Sequence, residues 1–248
     1  MKPPRLSVVI PAYNEREHLR QAIPSIAAYL QSMNWSFEII VVNDGSRDDT
    51  AGVTETLAKT YPMVRLITFN PNRGKGAAVR AGMLGANGRY VLFTDADQST
   101  PISEVDKLLA KLEGDNYDVA IGSRAVPGAN VRSVQPWYSA VSKRLFRFAM
   151  RILVLNGIAD TQCGFKCMKR EVARTVFPQV TSNTSLFDIE MLAVATREGY
   201  RVAEVPIKWV DNPDSRLPYN LRRLVGVWVE LFRIKQIHGL GRPLRVKK

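Results

Sequence analysis

Asp95 and Asp97 close the run Tyr90-Val91-Leu92-Phe93-Thr94, an apolar and β-prone stretch that stops abruptly at two carboxylates separated by Ala96. If the alternation of a strand carries through them, both carboxylates point one way and Ala96 the other. Two hard oxygen donors can then share one divalent cation. Mg2+ or Mn2+ held in this manner usually also takes phosphate oxygens from a substrate. An isolated Asp-x-Asp serves equally well as an acidic turn, so its neighbours must decide between the two readings.

Three other groups bear on that choice. Asp44 follows a β-branched run directly, where an exposed carboxylate can accept a nucleobase N–H or simply form a turn. Gly74-Lys75-Gly76 opens a helical pattern, and such a start offers free backbone N–H groups and the positive end of a helix dipole to a phosphate. It lacks full P-loop spacing, so by itself the motif is weak. Tyr13 can stack on a base or pack.

The elements that position these residues follow from hydrophobic periodicity. Strands are predicted at residues 6–10, 37–42, 64–69 and 90–94, and helices at 15–32, 50–60 and 75–86, with Ser46, Asp48 and Asp49 as capping candidates before the second helix. This βαβαβαβ order implies an α/β fold with a mostly parallel central sheet flanked by helices, a Rossmann-like nucleotide half. Ligands of such sheets bind beyond the carboxyl ends of the strands. The loops at 11–15, 43–46, 70–76 and 95–97 should therefore line one crevice, and a nucleotide diphosphate bound with a metal is the economical occupant. Downstream, a strand is predicted at 119–122, a basic amphipathic helix at 138–154, a helix at 187–197, a strand at 202–209 and an amphipathic helix at 220–237. The expected layout is one domain over 1–217, with a nucleotide half to about 118 and an acceptor half to 217, followed by the helix and a basic tail at 218–248.

A chain of 248 residues with 46% hydrophobic content can bury one sizeable core. Its formal charge of +12 calls for an anionic partner. Between Val119 and Ala159 there is no acid, while Arg124, Arg132, Lys143, Arg144, Arg147 and Arg151 fall there; from Arg216 onward Glu230 is the only acid. This charge comes without an aromatic platform or a recognition-helix pattern, which argues against a nucleic-acid partner. Cys163 and Cys167, four apart, suit buried thiols better than a disulfide framework or a zinc site. Strand character begins within a few residues of Met1, which leaves no room for a signal peptide, and no apolar run is long enough to span a bilayer. The expectation is a cytoplasmic protein, peripheral on the cytoplasmic face of a membrane if it meets one.

Taken together, Val8-Val9-Ile10-Pro11-Ala12-Tyr13-Asn14-Glu15, Val42-Asn43-Asp44-Gly45-Ser46 with Asp49-Thr50, Gly74-Lys75-Gly76 and Asp95-Ala96-Asp97 resemble, in order and spacing, the inverting family 2 glycosyltransferases of GT-A fold. Gly122-Ser123-Arg124, the 160–166 segment Asp-Thr-Gln-Cys-Gly-Phe-Lys, Phe187-Asp188-Ile189-Glu190 and the 204–209 segment Glu-Val-Pro-Ile-Lys-Trp resemble the branch acting on polyprenyl phosphates. The dolichyl-phosphate β-glucosyltransferases are most similar, with the mannosyltransferases as neighbours. The resemblance implies transfer of a hexose, glucose from UDP-glucose first and mannose from GDP-mannose second, to a polyprenyl or dolichyl phosphate. A soluble hydroxyl compound is the other acceptor class.

On the same resemblance, Pro11, Tyr13, Glu15 and Asp44 would cradle the nucleoside and Lys75 would approach the donor. Asp95, Ala96 and Asp97 would hold the diphosphate with Mg2+ or Mn2+, Gln98 being a further candidate ligand. Asp160 and Gln162, beside Gly164 in a polar turn, would face the sugar or form the turn, and Asp188 and Glu190 would bind donor-sugar hydroxyls or shape the pocket. A lipid monophosphate is largely a dianion at neutral pH and attacks without a strong base, so it needs cations to position it. Arg124, Arg132, Lys143 and Arg144 would supply them. A hydroxyl acceptor would instead need a carboxylate base, for which Asp188 or Glu190 is the candidate. The 220–237 helix has three open roles: membrane interface, packing on the sheet, or contact with a second subunit in a homo-oligomer.

Overall fold

The computed structural model describes residues 3–132, 150, 154–210, 221–239 and 243–246. At its centre is a seven-stranded sheet in the order β3-β2-β1-β4-β8-β5-β9. The first four strands are β1 (Leu6–Ala12), β2 (Phe37–Asp44), β3 (Val64–Phe69) and β4 (Tyr90–Thr94), all parallel to their neighbours within this group. Every residue of β1 and β4 is buried, the pattern expected of strands covered on both faces. The alternation that sequence reading relies on is visible as two separate cores. Val8 and Ile10 face one, with Ile39 and Leu92, while Val9 faces the other, with Ile40, Val91 and Phe93.

Helices α1 (Arg16–Ser32), α2 (Thr50–Thr60) and α4 (Val105–Glu113) cover the first core, and α3 (Lys75–Gly85), α5 (Arg170–Val176) and α6 (Phe187–Arg197) cover the second. In α1 the buried Leu19, Ala22, Ile23, Ile26, Ala27 and Leu30 recur at helical spacing, which seats the helix by one face. Helix α7 (Leu221–Ile237) joins the second core through Leu231 and Ile234.

After β3 at one edge, the chain crosses to the opposite side of β1 to form β4. The carboxyl ends of β1 and β4 therefore flank a topological switch point, where the loops leaving neighbouring strands diverge and open a crevice.

Beyond β4 two expectations need correction. The segment Phe165–Lys169, for which no element was expected, is strand β8, inserted antiparallel between β4 and β5 (Val119–Ser123). The single strand expected over 202–209 divides at Ile207. Its first part is the edge strand β9 (Val202–Pro206), and its second, β10 (Lys208–Val210), pairs with β6 (Asn130–Arg132) in a separate ribbon. A further short ribbon joins β7 (Leu155–Asn156) to β11 (Leu244–Arg245). Lys143, Arg144, Arg147, Arg216 and most of the helix expected at 138–154 lie outside the described residues. Cys163 and Cys167 are free, buried thiols, and burial pushes both pKa values up, that of Cys163 to about 11.

Candidate active site

All four loops after β1 to β4 contribute to a cleft of about 1460 Å3. The first two are tied together. Asn14, with φ of 58°, donates its N–H to Ser46 Oγ at 2.9 Å and accepts the Arg47 N–H at 2.8 Å, while the Glu15 N–H meets Thr50 Oγ1 at 3.0 Å. This cross-tie leaves Tyr13 on the rim, 42% exposed and free to stack on a planar ligand. Pro11 and Glu15 line the same wall. Burial raises the Glu15 carboxyl pKa, opposed by His18, whose Nδ1 lies 2.5 Å away. Of the capping candidates, Asp49 holds the N-cap position of α2 without a side-chain cap hydrogen bond, while Asp48 accepts the Thr50 N–H at 3.0 Å in the turn just before it.

Asp44 borders the cleft but is already employed. One carboxylate oxygen accepts the Arg73 N–H at 2.7 Å and the other the Gly74 N–H at 2.9 Å, so the side chain closes the turn that launches α3. Gly74 there has φ of 96°, a conformation open to glycine at little cost. The next residue, Lys75, places Nζ 2.6 Å from Asp95 Oδ1. Burial pulls the Lys75 ammonium down, but Asp95, then Asp188 and Asp97, more than offset this and push it up to about 12. The lysine is therefore a fixed cation on the cleft floor.

Asp95, Ala96 and Asp97 lie past the end of β4 in a turn, where the Gln98 N–H reaches Asp95 O at 3.4 Å, so strand alternation does not govern them. All three line the cleft; Gln98 does not, and Ser99 takes its place in the wall. Ser99 donates its N–H to Asp97 Oδ1 at 3.0 Å. Gly164 faces Asp95 at the end of β8, and a Cβ at that position would overlap the Asp95 carboxylate. Among the described residues no third His, Cys, Asp or Glu completes a protein cage. Two partly exposed carboxylates with room beside them fit Mg2+ or Mn2+, which typically binds through one or two carboxylates and fills its shell with phosphate oxygens and water.

The opposite wall holds Arg124, Gln162 and Trp209. Arg124 is engaged by Asp160 in a bidentate pair, Nε–Oδ2 2.7 Å and Nη2–Oδ1 2.9 Å, and its own N–H also reaches Oδ2 at 3.0 Å. The guanidinium lies over the Trp209 ring at 5.3 Å. Burial acts against both charges, yet the pair holds the arginine pKa up and the Asp160 pKa below its usual value. Asp160, expected to face a sugar, thus fixes Arg124 in place. Glu204 supports it by accepting the Asp160 N–H at 3.0 Å.

Besides Gln98 and Asp160, three further expected site residues among those described do not line this cleft. Asp188 is buried against Lys166, with Nζ 2.5 Å from Oδ1, and burial raises its pKa against the pull of Lys166 and Lys75. Glu190 is fully buried and bound by Thr181, Ser182 and His238. Arg132 is exposed on β6 and does not line the cleft. Sequence reading also missed two parts of the wall: Asn183 to Leu186, and Gly226, Val227 and Glu230 of α7. The signals were present, as a polar run Thr181-Ser182-Asn183-Thr184-Ser185 before a helix and as the lone acid of the basic tail.

The switch-point cleft of this mostly parallel sheet thus carries an Asp-x-Asp turn, a fixed lysine and a held arginine, a set of groups suited to a phosphate-bearing ligand. Residues 7–177 match Glycosyl transferase family 2, and the chain belongs to that family. It is 37% identical over 219 residues to a dolichyl-phosphate beta-glucosyltransferase of Trichomonas vaginalis, an alignment covering 84% of this chain and 65% of that one. The Drosophila melanogaster protein of the same name is 36% identical, with 86% and 69% covered, and the Homo sapiens protein 32%, with 98% and 79% covered. The chain thus spans about two thirds of the length of the first two. Among solved structures, glucosyl-3-phosphoglycerate synthase from Mycobacterium tuberculosis in complex with Mn2+, UDP and glucosyl-3-phosphoglycerate superposes with a TM-score of 0.66 at 18% identity, covering 95% of this chain and 80% of that one. That likeness establishes the shared fold.

Proposed function

We propose that the protein transfers glucose from UDP-glucose to dolichyl phosphate or a related polyprenyl phosphate, with inversion at the anomeric carbon. One observation carries the reading: Lys75, Asp95, Asp97 and Arg124 converge on a single cleft, in a chain similar to several dolichyl-phosphate beta-glucosyltransferases. Pro11, Tyr13, Glu15 and Asp44 border the nucleoside end. Asp95 and Asp97 would hold Mg2+ or Mn2+, which when bound would supply positive charge to the diphosphate leaving group. Lys75 sets a permanent positive charge beside it, and Arg124, oriented by Asp160 and Trp209, receives the acceptor phosphate. Gln162 borders the space between them and meets the sugar.

A phosphate monoester has a second pKa near ~6, so the acceptor arrives as a nucleophile that does not have to surrender a proton. This agrees with the burial of Asp188, whose Oδ1 is paired with Lys166, and of Glu190, both of whose oxygens are bound by protein donors. The mouth of the cleft supplies a route to a lipid. Along α7, Trp228, Val229 and Phe232 are 37%, 61% and 49% exposed, on a different flank from Gly226, Val227 and Glu230. No helix among the described residues is long and apolar enough to cross a membrane. We infer that the protein meets the cytoplasmic face of a bilayer peripherally, this flank against the lipid and the formal +12 charge drawing it to anionic headgroups. The test is a panel of labelled nucleotide sugars offered with polyprenyl phosphate and Mg2+ or Mn2+. Labelled lipid from UDP-glucose is expected; label appearing only from GDP-mannose, or only on a soluble hydroxyl acceptor, would overturn the reading.

A further inference from the structure

Glu190 is wholly enclosed in α6, and its carboxylate accepts from the Thr181 N–H at 3.0 Å, Thr181 Oγ1 at 2.9 Å and the Ser182 N–H at 2.7 Å. A fourth partner comes from the end of α7, where His238 Nε2 lies 2.7 Å from Oε1. The other ring nitrogen, Nδ1, is 3.1 Å from Arg197 Nη1, which can only donate. Nδ1 is therefore the acceptor and Nε2 carries the hydrogen directed at Glu190. A carboxylate with four buried contacts is fixed in place, and so is the loop it grips.

That loop reaches the donor site. Asn183 O accepts the Gly76 N–H at 3.0 Å, and Arg80 of α3 donates to Val180 O at 2.7 Å and to Asn183 Oδ1 at 3.0 Å. The fit is close enough that a Cβ on Gly76 would run into Ser182 O. The segment 180–184 thus clamps the first turn of α3, which carries Lys75. Both Glu190 and His238 lie outside the region matched to the family, residues 7–177.

We propose that Glu190, braced by His238, is a positioning residue for the nucleotide diphosphate: through Thr181 and Ser182 it sets the loop that seats Gly74-Lys75-Gly76. The proposal rests on the donor site described above. It predicts that donor affinity is coupled to the C-terminal helix, although neither residue touches the cleft.

The test uses the full chain with Glu190→Gln and His238→Ala, measuring UDP binding by calorimetry with Mn2+, the KM of each substrate, and hydrogen exchange at the Gly76 amide. In both variants UDP Kd and donor KM should rise, roughly tenfold for Glu190→Gln and less for His238→Ala, with the acceptor KM within about twofold, the scale of one charge-assisted hydrogen bond. Exchange at Gly76 should quicken. Should Glu190→Gln fail to fold, His238→Ala decides. Unchanged donor constants in a folded variant, or equal changes in both KM values, would overturn the proposal. If the wild-type chain binds no UDP, the donor-site reading itself falls, whereas wild-type binding matched by the variants removes only this inference.

Discussion

The strands β1 to β4 bring their share of the cleft together chiefly through parallel topology, every loop leaving the same end of the sheet, whereas from β5 onward the side chains are placed by specific pairs, Arg124 with Asp160 and Glu190 with His238. In the first region each functional loop directly follows a buried parallel strand, so Tyr13, Asp44 and Asp95 arrive at one end of the sheet through topology alone. In the second, the working groups are placed by partners far along the chain: Arg124 by Asp160 across 36 residues, and Glu190 by His238 across 48. A repeating βα scaffold brings its loops to one end of the sheet, where backbone N–H groups meeting Asn14, Ser46, Thr50 and Asp44 tie them together. Arg124, proposed above to receive a second anion, is held by the carboxylate of Asp160.

The largest effect expected from breaking this contrast comes from the first region. Asp97→Asn should lower kcat/KM by roughly 10^2 to 10^3-fold, the range seen when a group stabilising transition-state charge is lost, and should leave residual activity insensitive to chelator. Near-normal turnover with EDTA present would remove the metal from the account. A smaller effect is expected at the mouth. Replacing Trp228 and Phe232 together by Ser should cut sedimentation with anionic liposomes by roughly tenfold or more, given about 1.5–3 kcal/mol for each apolar side chain buried. Activity on a short-chain, water-soluble polyprenyl phosphate should be nearly spared; equal loss on both acceptors would place these side chains in the fold rather than at a membrane.

The smallest effect concerns pH. The folded-state pKa of Asp160 lies below the ordinary 3.8: burial would raise it, and Arg124 outweighs burial. Its stabilisation is accordingly present above the ordinary value and lost as pH falls through the folded one. Asp160→Asn should lower the melting temperature at neutral pH and flatten its decline below about pH 4, where the wild type loses the same interaction. Parallel acid limbs in the two proteins would show that the pair contributes no pH-dependent stability.

The two regions also differed in how much their sequence disclosed. Alternation of β-branched runs with helical spacing located β1 to β4 and α1 to α3 to within a residue or two, because the strands are apolar runs, the helices carry an apolar face and both are bounded by turn residues. β8 escaped because Phe165-Lys166-Cys167-Met168-Lys169 is short and carries a lysine where a core residue is expected. Lys166 is in fact fully buried, neutralised by Asp188 and set near the Phe93 ring. For the same reason Asp188 and Glu190 read as candidate active-site acids. An unpaired carboxylate and a paired one look identical in one dimension. Asp44 was legible in place but not in use, since the backbone N–H groups that occupy it belong to a loop about thirty residues away.

The most direct test of the division between the two regions is two-substrate steady-state kinetics on Lys75→Ala and Arg124→Ala beside the wild type. The account predicts a crossover. Lys75→Ala should raise the KM for UDP-glucose and spare that of the polyprenyl phosphate, and Arg124→Ala should do the reverse, each by roughly 10- to 100-fold for a lost charge-assisted contact. If both substitutions move the same substrate's constant, the cleft is not divided between a donor diphosphate and an acceptor phosphate in the way described.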